Sequence, residues 1–185
     1  MKANVVTVFG GSAPGSGDRA YRSAESLGRN LGEVGFSVAT GGYVGTMEAV
    51  SKGAAASGGH VIGVTCEQIE RWRRVSPNPW VSEEIRVSTL LERVYRLIEI
   101  GEALVALPGG LGTLSEIALA WSLMQTEEIS SRPFVLVGEF WQRIMGDFIA
   151  TANGYLAPKD IELLTFKDGV DDAVDYLVRR LRSHA

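Results

Sequence analysis

The sequence predicts an α/β fold, a doubly wound, mostly parallel sheet with helices on both faces. Three observations lead there. Short β-branched runs alternate with longer stretches of helical periodicity along the chain. The runs are apolar almost without interruption, which suits strands covered on both faces rather than on one. Glycine clusters recur where a run gives way to a helical stretch, as tight strand-to-helix turns require.

The first run, residues 5–9 (Val-Val-Thr-Val-Phe), is too short for the apolar core of a signal peptide and leads directly into Gly-Gly-Ser, so it reads as a first strand. Residues 18–34 follow, with Ala20, Ala24, Leu27 and Leu31 at three- and four-residue steps, one face of a helix. Further strands are expected at 36–39, 61–65, 103–107 and 134–137, with weaker candidates at 85–87 and 161–166. Helices are expected at 45–58, at 113–127 and at 170–182, the last carrying Val170, Val174, Leu177, Val178 and Leu181. From about 89 to 100 another helix is expected, with Leu90, Leu91, Val94, Leu97 and Ile98 as its apolar stripe. That stripe leaves Arg93 on a solvated face and makes Glu92 and Arg96 an i,i+4 ion pair. Residues 66–82 are the most irregular, because Pro77 and Pro79 break any regular element. A loop there suits closure over a site or contact with a partner subunit.

At 185 residues the chain is enough for one compact domain, residues 1–185, and short for two. Its 45% hydrophobic and 22% charged content is that of a globular protein, not a disordered one. With 22 acidic against 18 basic residues the formal charge is −4, so the broad positive field of a nucleic-acid binder is lacking. The small basic cluster Arg71, Arg73 and Arg74 around Trp72 is either a solvated loop or a cationic rim for an anionic small ligand. Cys66 is the only cysteine, which rules out an internal disulfide and points to a reducing, cytoplasmic setting. It is expected to pack beside the end of the 61–65 strand. His60, at the edge of that strand, and His184, in the tail, are the only histidines. A His/Cys metal site and a Ser-His-Asp device therefore lack their residues, and no metal or cofactor is expected. No apolar stretch approaches the ~18 residues of a membrane span.

Glycine is over-represented, at 22 of 185 residues against a typical share of roughly 7%. Ten fall in three clusters: Gly10, Gly11, Gly15 and Gly17; Gly41, Gly42 and Gly45; Gly109, Gly110 and Gly112. Each cluster follows an expected strand and precedes an expected helix, so all three belong on one edge of the sheet, where open parallel sheets bind ligands. Backbone N–H groups of such loops converge on an anion, and the helix N-terminus behind them favours phosphate. None of the loops is a Walker loop, and no dinucleotide fingerprint follows the first strand, which disfavours a P-loop ATPase and an ordinary NAD dehydrogenase. In the first loop Ser12 is either a ligand donor or a turn former. The second, Thr40-Gly-Gly-Tyr-Val-Gly-Thr46, is either an anion cradle or a tightly packed turn. In the third, Pro108-Gly-Gly-Leu-Gly-Thr-Leu-Ser-Glu116, Thr113 and Glu116 have the T-x-x-E spacing of a capping box, so spacing leaves Glu116 divided between cap and site.

That third loop resembles the PGGxGTxxE signature of the Lonely Guy (LOG) family, proteins once labelled lysine decarboxylases. The stretch from Thr40 to Ala49 is similar to the family's first glycine motif, and Phe9-Gly-Gly-Ser12 to its opening loop. The resemblance implies a Rossmann-like homodimer that hydrolyses the N-glycosidic bond of a nucleoside 5′-monophosphate, giving a free base and ribose 5-phosphate. Cytokinin riboside monophosphates and AMP are the substrates it suggests. It makes Glu116 and Arg93, on the preceding helix, the catalytic pair. Phosphate and nucleotide contacts then fall to Gly11, Ser12, Gly41, Gly42, Gly45, Thr46, Pro108, Gly109, Gly110, Gly112 and Thr113. The sequence departs from the family where Val94 replaces a lysine and Leu90 and Leu97 replace methionines.

Cleavage of such a bond builds oxocarbenium character on the ribose, which a carboxylate near C1′ stabilises while it holds the attacking water. Glu116 has that role in this reading, and Arg93 orients the substrate or neutralises charge on the departing side. Glu48 either contacts ribose hydroxyls or complements a helix dipole. Tyr43, Trp72 and Trp80 are stacking candidates for the base, or packing residues. The face of residues 113–127 that carries Trp121 and Met124 is a candidate dimer surface. The rival reading is a non-catalytic carrier of a nucleotide or molybdenum cofactor, which does not need both Arg93 and Glu116.

Overall fold

The computed structural model describes residues 4–152 and 154–182, so His184 lies outside the described residues. Its sheet has seven strands: β1 (Val5–Phe9), β2 (Ser37–Thr40), β3 (Val61–Cys66), β4 (Glu83–Val87), β5 (Ala103–Ala106), β6 (Phe134–Val137) and β7 (Thr165–Lys167). All pairings are parallel, in the order β4-β3-β2-β1-β5-β6-β7. The chain walks outward from β1 to the β4 edge, then crosses back to lay β5 against β1. Val6 pairs with Ala103 and Phe9 with Ala106. The β1/β5 boundary is therefore the topological switch point, where the carboxyl ends of open parallel sheets leave a crevice.

The helices are α1 (Arg19–Glu33), α2 (Thr46–Ala56), α3 (Glu67–Arg73), α4 (Leu90–Ile100), α5 (Leu111–Gln125), α6 (Glu139–Thr151), α7 (Pro158–Ile161) and α8 (Val170–Arg182). Both faces of the sheet are covered, as the unbroken apolar runs imply. On one face Leu27 and Leu31 of α1, Val50 of α2 and Leu177 of α8 pack on Val6, Val38, Val105 and Val135. On the other, Leu97 of α4, Ile117 of α5 and Trp141 of α6 pack on Phe9, Leu104, Phe134 and Leu136. Successive residues of β5 and β6 thus enter opposite cores, leaving no polar face to alternate.

Local differences from the sequence reading have local causes. Residues 66–82 are not irregular throughout, because α3 forms before the prolines and ends at Arg74 in a left-handed conformation, φ 52°. The 161–166 run is divided: Pro158 starts α7, the Asp160 carboxylate accepts from the Ala157 N–H, and β7 begins only at Thr165. Helix α4 starts with a capping box, Thr89 Oγ1 accepting from the Glu92 N–H at 3.3 Å and Glu92 from the Thr89 N–H at 3.0 Å. Glu92 is thereby committed to the cap, and Arg96 pairs with Glu99 instead of with it. Leu90 and Leu91 are exposed, at 50% and 71%, so they are not part of the buried stripe, whereas Arg93 is. Trp121 and Met124 also pack in the core, Trp121 lining an apolar groove between α5 and α6. Among the described residues no helix is long and apolar enough to cross a membrane.

Candidate active site

The three glycine loops leave the carboxyl ends of β1, β2 and β5 and are tied together by their own backbone. The Gly11 N–H donates to the Pro108 carbonyl at 3.2 Å, joining the first and third loops across the switch point. The Gly11 carbonyl accepts from both the N–H and the hydroxyl of Thr46, each at 2.9 Å, joining first to second. Gly45, the N-cap of α2 at φ 78°, lies against the Ser12 backbone, and a side chain there would meet both strain and that backbone. Gly42 is pinned by Asn78, whose N–H and side-chain amide both donate to its carbonyl, at 2.8 and 3.0 Å. Asn78 went unremarked in the sequence, although an asparagine held between two prolines is the kind of residue that fixes a turn.

Arg93 is brought into this junction by the first turn of α4. Only 6% exposed, it donates through Nε to the Val64 carbonyl at 2.8 Å and through Nη2 to the Gly41 carbonyl at 2.9 Å, with its guanidinium over the Tyr43 ring. A β-carbon at Gly41 would stand in the space the guanidinium occupies. Tyr43 is thereby committed to packing: it is buried, its hydroxyl donates to the Cys66 carbonyl and accepts from the Cys66 N–H. Burial pushes the pKa of Arg93 down, and Glu116 opposes that; an arginine remains a cation regardless.

Helix α5 begins at Leu111 with Gly110 as N-cap, three residues earlier than a Thr113 cap requires. The T-x-x-E capping box is not formed, and Glu116 has no capping duty. Gly112 and Thr113 lie in the first turn, and the Thr113 side chain packs on Gly109. Among the described residues neither the Thr113 hydroxyl nor the Glu116 carboxylate takes part in a side-chain hydrogen bond. Glu116 is 8% exposed, and burial pushes its carboxyl pKa up to about 7 against the pull of Arg93. The two residues feel each other's charge without forming an ion pair. Such a carboxylate is a base near neutral pH and has its oxygens left for a substrate or a water.

The remaining candidates are dispersed. Glu48, in the first turn of α2, accepts a hydrogen bond from the Tyr21 hydroxyl at 3.1 Å. Ser12 accepts from Arg73 at 3.0 Å. Trp72 is 74% exposed beside the same loop, whereas Trp80 lies in the turn fixed by Asn78. A separate cavity of about 540 Å³, lined by Asn4, Gly101, Pro133 and Thr165, opens at the opposite end of the strands and holds none of the predicted site residues.

The chain is similar to proteins already known. Residues 47–177 match a family model described as "Possible lysine decarboxylase". The chain is 30% identical over 159 residues to a cytokinin riboside 5′-monophosphate phosphoribohydrolase of Rhodococcoides fascians, covering 83% of this chain and 78% of that protein. It is 35% identical over 127 residues to a "probable" enzyme of the same name from Oryza sativa subsp. japonica, 65% of this chain but only 49% of that protein. Among solved structures, the molybdenum cofactor binding protein of Rippkaea orientalis superposes with a TM-score of 0.74 over 96% of both chains at 22% identity, which is a likeness of fold.

Proposed function

Because the chain belongs to the possible lysine decarboxylase family, which includes the LOG proteins, we propose that it hydrolyses the N-glycosidic bond of a nucleoside 5′-monophosphate, releasing free base and ribose 5-phosphate. The observation that carries this reading is Glu116, a buried residue held near Arg93 whose carboxylate takes no hydrogen bond among the described residues, one turn beyond an anion-suited glycine loop. A carrier gains nothing from burying such a group, whereas a glycosidase needs a carboxylate poised at the anomeric carbon. Decarboxylation of the kind the family description names would use a lysine as Schiff-base partner of a cofactor aldehyde. The described lysines are elsewhere: Lys52 pairs with Glu25, Lys159 is in α7 and Lys167 lies over Tyr176.

In this mechanism the amides of the loops, with Thr113, hold the 5′-phosphate against the α5 N-terminus. Arg93, fixed by two carbonyls, orients the nucleotide and balances charge on the departing base. Ionised Glu116 stabilises the oxocarbenium-like transition state and holds the attacking water for proton removal. Residues 1–185 act as one nucleotide-binding domain, and the single buried thiol, Cys66, suits the cytoplasm.

The assembly we infer is a homodimer. Leu114, Ile144 and Phe148 are exposed around an apolar groove of about 430 Å³ between α5 and α6, and a self-complementary apolar face is the usual basis of a twofold pair. Light scattering of the wild type and of Phe148→Glu tests this: a monomeric wild type overturns it. For the reaction, chromatographic detection of free base from a panel of nucleoside monophosphates, AMP and a cytokinin ribotide included, is decisive. Binding of every nucleotide without release of any base would exclude hydrolysis.

A further inference from the structure

We propose that Arg73, at the end of α3, is a phosphate clamp, resting on Ser12 until a nucleotide's 5′-phosphate takes its guanidinium. This rests on the reading that the glycine-loop cleft receives a nucleoside 5′-monophosphate, and it adds a residue from outside the three glycine motifs.

The placement of Arg73 is specific. Its Nη1 donates to Ser12 Oγ at 3.0 Å, and Ser12 follows Gly11, the residue whose amide and carbonyl tie the three loops together. The guanidinium also lies 4.9 Å from the centre of the Trp72 ring, so its approach is constrained from a second side. Its charge has no carboxylate partner among the described residues. The nearby acids are committed, since Arg86 takes Glu67 and Glu70. A cation bonded only to a neutral hydroxyl, at the rim of a ring of amides, is poised for an anion.

The charge balance of the cleft supports the same assignment. Arg73 and Glu116 both act on the pKa of the buried Arg93, with opposite signs. Two guanidinium groups therefore act at a site where Glu116 is the carboxylate without an ion-pair partner, since Glu70 is paired with Arg86, and an anionic phosphate offsets the remaining positive charge. Arginine suits that role because its planar fork meets two phosphate oxygens at once. Being exposed, Arg73 can leave Ser12 without opening a cavity, so the exchange of hydroxyl for phosphate costs only one neutral hydrogen bond. Arg71 and Arg74 share the segment, but neither has a side-chain bond to the loops.

Calorimetric titration with ribose 5-phosphate, alongside steady-state kinetics on AMP, tests the clamp in wild type, Arg73→Gln and Arg71→Gln. Loss of one charge-assisted contact should weaken ribose 5-phosphate binding, and raise KM for AMP, on the order of 10- to 100-fold in Arg73→Gln. Because that contact is the same in ground and transition states, kcat should stay within about threefold. Arg71→Gln should match the wild type in both. Unchanged ribose 5-phosphate affinity in a folded Arg73→Gln protein would overturn the proposal, as would an equal loss in Arg71→Gln, which is the signature of diffuse charge. If Arg73-dependent binding is seen but no nucleotide releases base, the clamp stands and the hydrolytic reading falls. If AMP is cleaved equally well without Arg73, the reverse holds.

Discussion

Arg93 donates its Nη2 to the Gly41 carbonyl at 2.9 Å, and so fixes a cation beneath the second glycine loop, 52 residues away in sequence. The approach depends on Gly41 lacking a side chain, because a β-carbon would displace the guanidinium. The charge is then held at a position from which it acts on Glu116 without neutralising it by contact.

Gly41→Ala should therefore impair the site without unfolding the protein. Expelling the guanidinium should lower kcat/KM for AMP by about 100-fold, the scale of a misplaced orienting group. Circular dichroism should show native helix content, and an unperturbed kcat/KM would mean that Arg93 is not needed where it stands.

Glu116 should set the acid limb of the pH profile. With a carboxyl pKa raised to about 7, a role that needs the ionised form makes kcat/KM rise from about pH 6 to 8. Arg93 lowers that pKa, so Arg93→Gln should move the limb to higher pH. Residual turnover or carboxyl carbon-13 shifts, followed over pH, measure the displacement, and a limb that stays in place removes Arg93 as the cause.

Replacing Glu116 separates chemistry from stability. Glu116→Gln should reduce kcat by roughly 10²- to 10⁴-fold, the usual worth of a positioned acid–base group. Its effect on folding has the opposite sign. A carboxyl whose folded pKa is raised favours the folded state when protonated, so its burden is absent below about pH 4.5 and complete above about pH 7. A displacement of that size corresponds to about 3 kcal/mol. Urea denaturation at pH 8 should thus find the variant more stable than the wild type, with the difference vanishing near pH 4.5.

The Thr89 cap is a second route to Arg93. Thr89→Ala removes the side-chain acceptor at the start of α4 and should destabilise the protein by about 1 kcal/mol in urea denaturation. Because the frayed turn is the one that carries Arg93, KM and kcat should change together. A stability loss with unaltered kinetics would show that α4 holds Arg93 through its later turns alone.

Much of this site was legible in particular residues. The Gly-Gly pairs after β1, β2 and β5 placed three loops on one edge, and Pro108 to Glu116 carried the family signature. Arg73 was visible as one of a cluster of three arginines, but its contact with Ser12 and the turn fixed by Asn78 were not, because Pro77 and Pro79 mask any periodicity and the partners, Ser12 and Gly42, are distant in sequence. Arg93 was misread from the stripe alone. Counting Leu90 and Leu91 as buried turned the helix by part of a turn and set Arg93 facing water.

The sequence by itself determined the alternation of strand and helix, the burial of both sheet faces and the position of the glycine turns, because each depends on residues within a few positions of one another. Only the tertiary structure decided that the chain returns from β4 to lay β5 beside β1, which brings Gly11 to Pro108 and makes one site of separate loops. It also decided that Glu116 is a buried residue with no hydrogen bond to its carboxylate among the described residues, and not a helix cap, and that Arg93 is inside. Burial and pKa are set by what packs around a group from elsewhere in the chain, and local spacing does not contain that information.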